Sequence, residues 1–295
     1  MIAVMGATGN TGGTVAQQLL QGQARVRAIG RSKERLQPLV ARGAEAAIGD
    51  IKDDLFLAEA FRDAEAVYAM IPPDHRAENQ DRRVDEIGEA TVRAINDTGV
   101  THVVFLSSLG GELPSGTGPV AGLHRQEERL KRIPRIHLLI LRPAYFFENH
   151  FGSLPLIKHQ GINGGAIAPD VPFPMIATSD IGSVAAAALT ARDFRGMTVR
   201  ELLGPRDLTM REVTGILGGK IGRPDLPYVQ FPDEAFVQGM VQAGFAEPVA
   251  RLFVELSHAI NERRVRSLEG RTDRNTTSTS FEEFANLLAA AYERL

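Results

Sequence analysis

Cysteine is absent from this chain of 295 residues. Without cysteine the protein cannot form disulfides, bind zinc or an iron–sulfur cluster through thiolates, or use a thiol nucleophile. The seven histidines show no spacing typical of metal ligands, either with one another or with paired carboxylates. We therefore expect no metal site.

Long apolar runs and an excess of positive charge are also absent. The longest buried-strand pattern near the middle, Leu138–Leu141, is bounded by His137 and Arg142, so no segment is predicted to cross a membrane. Lys and Arg total 33 against 36 Asp and Glu, which argues against a nucleic-acid partner. The N-terminus enters an apolar strand directly and has no signal-peptide pattern, so we expect a cytoplasmic protein.

Short apolar runs alternate with amphipathic stretches through the first half of the chain. This alternation predicts βαβ units around a buried parallel sheet, and hence an α/β fold of the doubly wound, Rossmann type. The predicted strands are Ile2–Met5, Val26–Ile29, Ala46–Ile48, Val67–Ile71, Val103–Leu106 and His137–Leu141. The predicted helices are Thr11–Gln21, Lys33–Arg42, Leu55–Phe61, Gln80–Thr98 and Leu123–Arg132.

The pattern changes after Pro143, so we predict a nucleotide-binding domain over residues 1–150 and a smaller α/β substrate lobe over 151–295, partly interleaved with the sheet. Gly161–Pro174 is predicted to be a loop. The segment Asp180–Arg192 is predicted to be a helix with Asp180 as its N-cap. Further predictions are a strand at Val199–Leu203, helices at Leu208–Leu217, Asp233–Gly244 and Pro248–Glu262, and a last helix after a capping box at Ser280 and Glu283.

A glycine-rich turn follows the first strand and opens the first helix. Its candidate cofactor-binding residues are Gly6, Thr8, Gly9, Asn10, Thr11 and Gly12. Glycines permit the tight turn and the close approach of a pyrophosphate, and the helix N-terminus supplies partial positive charge. The spacing is GxxGxxG rather than GxGxxG. The strand–turn–helix context nevertheless favours dinucleotide binding over an ordinary turn.

The end of the second strand normally distinguishes NAD from NADP. No carboxylate stands there to bind a ribose 2′-hydroxyl, whereas the Arg31 guanidinium can donate two hydrogen bonds to a 2′-phosphate. We therefore expect NADP(H). Asp50 and Ile51 follow the third strand; Asp50 either accepts from the adenine amino group or N-caps the next helix, and the sequence does not separate the two.

Several motifs together resemble the NmrA-like branch of the atypical short-chain dehydrogenases/reductases. They are Gly6–Gly13, Gly30-Arg31-Ser32, Gly49-Asp50, Leu141–Asn149, Thr178–Ile181 and Gly204-Pro205 with Leu208-Thr209. The resemblance covers Met1 to about Phe284 and is strongest to quinone oxidoreductases and triphenylmethane-dye reductases. It implies NADP(H) bound to a Rossmann domain, with a substrate cleft beside a smaller C-terminal lobe. The family also contains non-catalytic, redox-sensing regulators.

The catalytic residues depart from the Tyr-x-x-x-Lys pair typical of the superfamily. Ser107 and Ser108 end the fifth strand as expected, but His124 stands in the tyrosine position and Glu128 in the lysine position. His124 is either a proton donor to the product or a surface histidine. A conjugated acceptor spreads the charge of the incoming hydride, so positioning can supply most of its catalysis.

Residues after two other strands complete the predicted site. Met70, Ile71 and Pro72 follow the fourth strand and could lie along the nicotinamide ribose; Tyr145 follows the sixth. Aromatic residues after the sixth strand suit a wall for a planar acceptor, although core packing needs the same composition. We expect an NADPH-dependent reductase of quinones or similar conjugated acceptors, acting as a monomer or homodimer. The alternative is a redox sensor that binds NADP(H) without turnover.

Overall fold

The computed structural model describes all 295 residues. The strands are β1 (Ile2–Val4), β2 (Val26–Gly30), β3 (Glu45–Ile48), β4 (Ala66–Ala69), β5 (His102–Leu106), β6 (His137–Pro143), β7 (Tyr145–Phe146), β8 (Asn163–Gly165), β9 (Phe173–Ile176), β10 (Met197–Leu202), β11 (Asp207–Leu208) and β12 (Tyr228–Gln230).

The helices follow in the same chain order, and a 3₁₀-helix covers Phe147–Ser153. They are α1 (Asn10–Gln21), α2 (Lys33–Val40), α3 (Asp54–Phe61), α4 (Gln80–Thr98), α5 (Val120–Lys131), α6 (Leu154–Gln160), α7 (Thr178–Ala191), α8 (Met210–Lys220), α9 (Asp233–Gln242), α10 (Glu247–Asn261) and α11 (Phe281–Glu293). None of these helices is both long and apolar enough to cross a bilayer.

Seven parallel strands form the central sheet in the order β10-β6-β5-β4-β1-β2-β3. The inner strands β1, β4, β5 and β6 are apolar and largely buried on both faces because helices cover both sides. The edge strands β3 and β10 are partly exposed. The order reverses between β1 and β4, and the crevice at such a reversal is where open α/β sheets bind ligands. The predicted doubly wound α/β fold is therefore confirmed.

Helices cover the two faces of this sheet separately. One core combines Val15 and Leu19 of α1, Leu36 of α2, and Ile181 and Leu189 of α7 with alternate strand residues. The opposite core contains α3, α4 and α5 residues. Alternation of side chains along each strand sends neighbouring residues to opposite cores, which explains why six short apolar runs were readable as strands.

A smaller lobe is built from the later segments. Its sheets, β11-β9-β7 and β12-β8, are short, and its core includes Phe147, Met175, Leu217, Phe281 and Phe284. Residues beyond 150 also return to the main sheet, because β10 pairs with β6 and α7 packs on α1. The lobe and the sheet are interleaved along the chain, and the boundary at residue 150 stays a prediction.

One capping assignment from the sequence was wrong, and one of the two roles left open for Asp50 is excluded. The N-cap of α7 is Ala177, and the Glu148 carboxylate accepts from the Thr178 backbone N–H and hydroxyl, at 3.1 and 2.5 Å. Asp180 instead accepts from the backbone N–H and hydroxyl of Thr279. Asp50 does not cap α3, because Asp53 does.

Short elements in the lobe also differ from the prediction. The segment Gly161–Pro174 contains β8 and the start of β9, and Leu208 belongs to β11 rather than to the helix after it. Strands of two or three residues are too short to show a periodicity and so cannot be recognised from local sequence. The capping box at Ser280 and Glu283 is confirmed.

Acid should weaken the lobe through His150, which is 3% exposed and whose Nε2 has no hydrogen-bond partner. Burial lowers the pKa of His150 to about 4, against about 6.5 for a free histidine. In this pH range the unfolded chain therefore binds a proton at His150 that the folded chain does not bind. Stability present at pH 7 is lost as the pH falls from about 6.5 towards about 4.

We expect the free energy of unfolding to decrease by about 2 kcal/mol between pH 7 and pH 5 because of His150. Urea unfolding of the native protein and of His150→Leu at both pH values measures this difference. The variant should lose about 2 kcal/mol less than the native protein. His159→Leu, at an exposed histidine, is the control; equal acid losses in all three proteins would contradict the assignment.

Candidate active site

The glycine turn connects β1 to α1 by a very close backbone approach. A β-carbon on Gly12 would lie 2.4 Å from the Gly6 carbonyl oxygen, so only glycine fits there. Gly6 has a φ of +63°, and a β-carbon on it would lie 2.7 Å from Sδ of Met70. The turn therefore brings the predicted residues Gly6, Gly12 and Met70 together at the reversal of strand order.

The N-terminus of α1 has no side-chain cap. Its N-cap is Gly9, and no acidic residue stands in its first turn. Side chains of Ser32, Asp53, Asn79, Thr209 and Ser280 cap α2, α3, α4, α8 and α11. Gly9 and Asn10 are exposed, while Thr11 and Gly12 are buried. The turn thus offers unpaired backbone N–H groups to an anion, which is the fit that a pyrophosphate needs.

Three arginines surround the ends of β2 and β4. Arg31 is exposed, with no carboxylate partner. Arg35 donates to the Thr8 carbonyl at 2.9 Å and so ties α2 to the glycine turn. The Arg83 side chain is 11% exposed and donates to the Pro72 carbonyl at 2.8 Å. Burial lowers the pKa of Arg83, and the charge of Arg31 lowers it further.

Sequence reasoning missed Arg35 and Arg83. Arg35 lies in the first turn of α2, which begins just after Arg31, and this closeness in sequence was the available signal. Arg83 lies in α4, distant in sequence, and only the packing of α4 against the Pro72 loop brings it here. Of the other predicted cofactor residues, Asp50 is exposed and accepts from the Lys52 N–H, and Ile51 is 9% exposed.

The serines after β5 have different surroundings. The Ser107 hydroxyl is buried and donates to Oε1 of Glu127 at 2.6 Å, so its proton is already committed within the protein. Ser108 lines a small cavity of about 40 Å³ between the sheet and the lobe. Sequence reasoning missed Glu127 altogether.

His124 is half-buried near the start of α5, and its Nδ1 lies 2.9 Å from the Gly111 carbonyl oxygen. A carbonyl oxygen can only accept, so Nδ1 must carry the proton of a neutral imidazole. The other nitrogen, Nε2, then has no proton unless the ring is doubly protonated. Glu128 is 43% exposed and bonds to Lys131 at 2.8 Å rather than to His124.

Tyr145 faces the cavity that Ser108 lines. Burial raises the pKa of Tyr145 to about 12, and its ring packs edge-on against Phe173 at 5.5 Å between centroids. The remaining wall is apolar and consists of Leu109, Phe173, Pro174, Leu256, Ile260 and Val265. A larger groove of about 370 Å³ lies between α4 and α5 and contains none of the predicted site residues. The chain has no group of three His, Asp or Glu side chains placed to bind a metal.

These features define a Rossmann-type protein whose glycine turn suits a dinucleotide. The family model of the NmrA-like family matches residues 1–285. The chain therefore belongs to the NmrA-like family, which confirms the resemblance found in the sequence.

Two similar curated proteins are reductases by name. The (4-alkanoyl-5-oxo-2,5-dihydrofuran-3-yl)methyl phosphate reductase of Streptomyces griseus is 30% identical over 86% of this chain and 85% of its own. The NAD(P)H azoreductase of Xenophilus azovorans is 26% identical over 87% and 86%.

Solved structures share the fold. The triphenylmethane reductase of Citrobacter, complexed with NADP(H), is similar with a TM-score of 0.80 and 22% identity, over 98% of this chain and 100% of its own. The NADPH-dependent quinone oxidoreductase of Escherichia coli, complexed with NADPH, has a TM-score of 0.78 and 22% identity, over 98% and 99%.

Gly9 and Gly12 should respond differently to substitution. A β-carbon on Gly9 would meet only the Gly6 carbonyl oxygen, at 3.3 Å, so Gly9→Val leaves the fold intact but fills the space where a pyrophosphate would lie. We expect NADPH affinity to fall at least 100-fold, by fluorescence titration. Gly12→Ala should instead lower the unfolding temperature, because its β-carbon collides with Gly6. Unchanged NADPH affinity in a folded Gly9→Val variant would refute the phosphate site.

Proposed function

We propose that this protein is an NADPH-dependent reductase that transfers hydride to a quinone or a similar conjugated, planar acceptor. The observation that carries the proposal is the uncapped α1 N-terminus beside the unpaired Arg31. Family membership and relatives named as NAD(P)H azoreductase and quinone oxidoreductase support it. The proposal includes a cytoplasmic location and a monomer or homodimer without a nucleic-acid partner.

Each part of the crevice has a separate task in this proposal. NADPH, when bound, supplies the hydride. The α1 N-terminus, with Gly9 and Asn10, holds the pyrophosphate, and Arg31 binds the 2′-phosphate while Arg35 fixes the turn. Met70, Ile71 and Pro72 support the nicotinamide ribose. Ser108 and Tyr145 border the acceptor, whose entry needs the apolar lobe residues to move apart, since the cavity holds only about 40 Å³.

His124 supplies the proton that balances the reduction. Because Nδ1–H donates to Gly111, only the doubly protonated ring can donate from Nε2. Ser107 is not the donor, because its hydroxyl serves Glu127.

A redox sensor that binds NADP(H) without turnover is the second candidate. The observation in its favour is the missing Tyr and Lys pair, replaced by His124 and Glu128. A negative transcriptional regulator in complex with NADP has the same fold, with a TM-score of 0.69 and 16% identity over 99% of this chain and 96% of its own.

Oxidation of NADPH, followed by its ultraviolet absorbance against quinones, azo dyes and enones, separates the two candidates. We expect turnover with at least one quinone or dye. His124→Phe should lower kcat about 100-fold, with NADPH binding intact. Binding of NADPH without turnover of any acceptor would favour the sensor.

Cofactor preference tests the role of Arg31. A charge-assisted hydrogen bond contributes about 1.5–3 kcal/mol, so Arg31 alone should favour NADPH over NADH by roughly 10- to 150-fold. Arg31→Ala should weaken NADPH binding by that factor and leave NADH binding nearly unchanged, as measured by calorimetric titration. Arg42→Ala, at an exposed arginine beyond α2, serves as the control. Equal affinities of the native protein for both cofactors would make NAD its cofactor.

A further inference from the structure

An ion pair is buried between α5 and β6, outside the groups that the proposed reaction uses. The Glu127 side chain is fully buried and that of Arg142 is 8% exposed. Arg142 donates to both carboxylate oxygens of Glu127, from Nε at 3.0 Å and from Nη2 at 2.6 Å. Its Nη1 donates to Glu112 at 3.0 Å.

Stability alone is a poor explanation for this pair. Burying two charges costs about as much as their attraction returns, and apolar side chains of similar volume often serve as well or better. Such a pair does, however, fix geometry, because a bidentate contact tolerates little displacement. The segments that the Glu127–Arg142 pair holds in place therefore indicate its role.

The Glu127 carboxylate fixes the loop that contacts His124. Ser107, at the start of this loop, donates to Oε1 of Glu127. Gly111 packs so closely on the same carboxylate that a β-carbon would lie 2.5 Å from Oε1. The carbonyl oxygen of Gly111 in turn accepts a hydrogen bond from Nδ1–H of His124. Because Glu127 and His124 are three residues apart on α5, one helix face holds both the anchor and the imidazole.

We infer that Glu127 and Arg142 are positioning residues for His124. They hold the loop of residues 107–112 against α5, so that the Gly111 carbonyl binds Nδ1–H of His124. In the doubly protonated ring the second proton, on Nε2, is then the one given to the acceptor. The ion pair thereby keeps α5, which carries His124, in a fixed position relative to this loop. This inference rests on the proposed proton donation by His124.

A double-mutant cycle tests the inference through activity. We expect Glu127→Gln to lower kcat about 10-fold without changing the KM for NADPH, and His124→Phe to lower kcat about 100-fold. The double variant should match His124→Phe alone, because Glu127 acts through His124. Independent losses that multiply to about 1000-fold would overturn the inference.

A spectroscopic readout keeps the test independent of turnover. Proton–nitrogen correlation NMR of the imidazoles, at alkaline pH, reports which nitrogen of His124 carries the proton. We expect Nδ1–H in the native protein and Nε2–H in Glu127→Gln, where the Gly111 carbonyl is released. The same tautomer in both proteins would overturn the inference. If the native protein turned over no acceptor, the proposed function would fail, while this measurement would still decide the positioning role.

Two further variants complete the design. Glu127→Gln removes the buried carboxylate that bonds Nε and Nη2 of Arg142 and leaves only Glu112 paired with it, which lowers stability. The double variant Glu127→Met with Arg142→Met removes both buried charges and should keep the fold. It should show the same change of tautomer. Glu89→Gln, at an exposed carboxylate of α4 that pairs with Arg93, is the matched control and should keep the native tautomer and kcat.

Discussion

The contact between Gly12 and the Gly6 carbonyl oxygen determines where α1 begins relative to β1. Any side chain on Gly12 would push the helix away from the strand. With glycine there, α1 starts at the reversal of strand order, and its first N–H groups point to the crevice rather than to a cap. The rest of the site is arranged around this point, since parallel strands release all their following loops at the same edge.

Most of the main sheet was predictable from local patterns. Runs such as Val103–Leu106 are short and apolar on both faces, and a buried parallel strand is the simplest structure that needs such a run. The helix Gln80–Thr98 was predicted with its observed bounds, because Asn79 caps it and Gly99 ends it in the left-handed conformation. Caps and glycine stops are local signals, and so they are readable in a sequence.

What the sequence did not reveal depends on contacts between distant residues. Glu148 caps α7 from 30 positions away, so the local candidate Asp180 was chosen instead. Arg83 approaches Arg31 only because α4 packs beside the Pro72 loop. No role was predicted for Glu127 from the sequence, and only its pairing with Arg142 explains its complete burial. A helical pattern identifies a face but not the partner that covers it.

The return of the chain to the main sheet affects how the protein can be divided. The strand β10 covers one side of β6, whose Leu138–Leu141 segment is entirely apolar. A fragment ending at residue 150 would leave that strand as an open edge, which is a template for pairing with other chains. During synthesis, about 50 further residues must be added after β6 before its neighbour β10 exists. The first half is therefore not a transferable module, because its sheet is completed only by a strand from the second half.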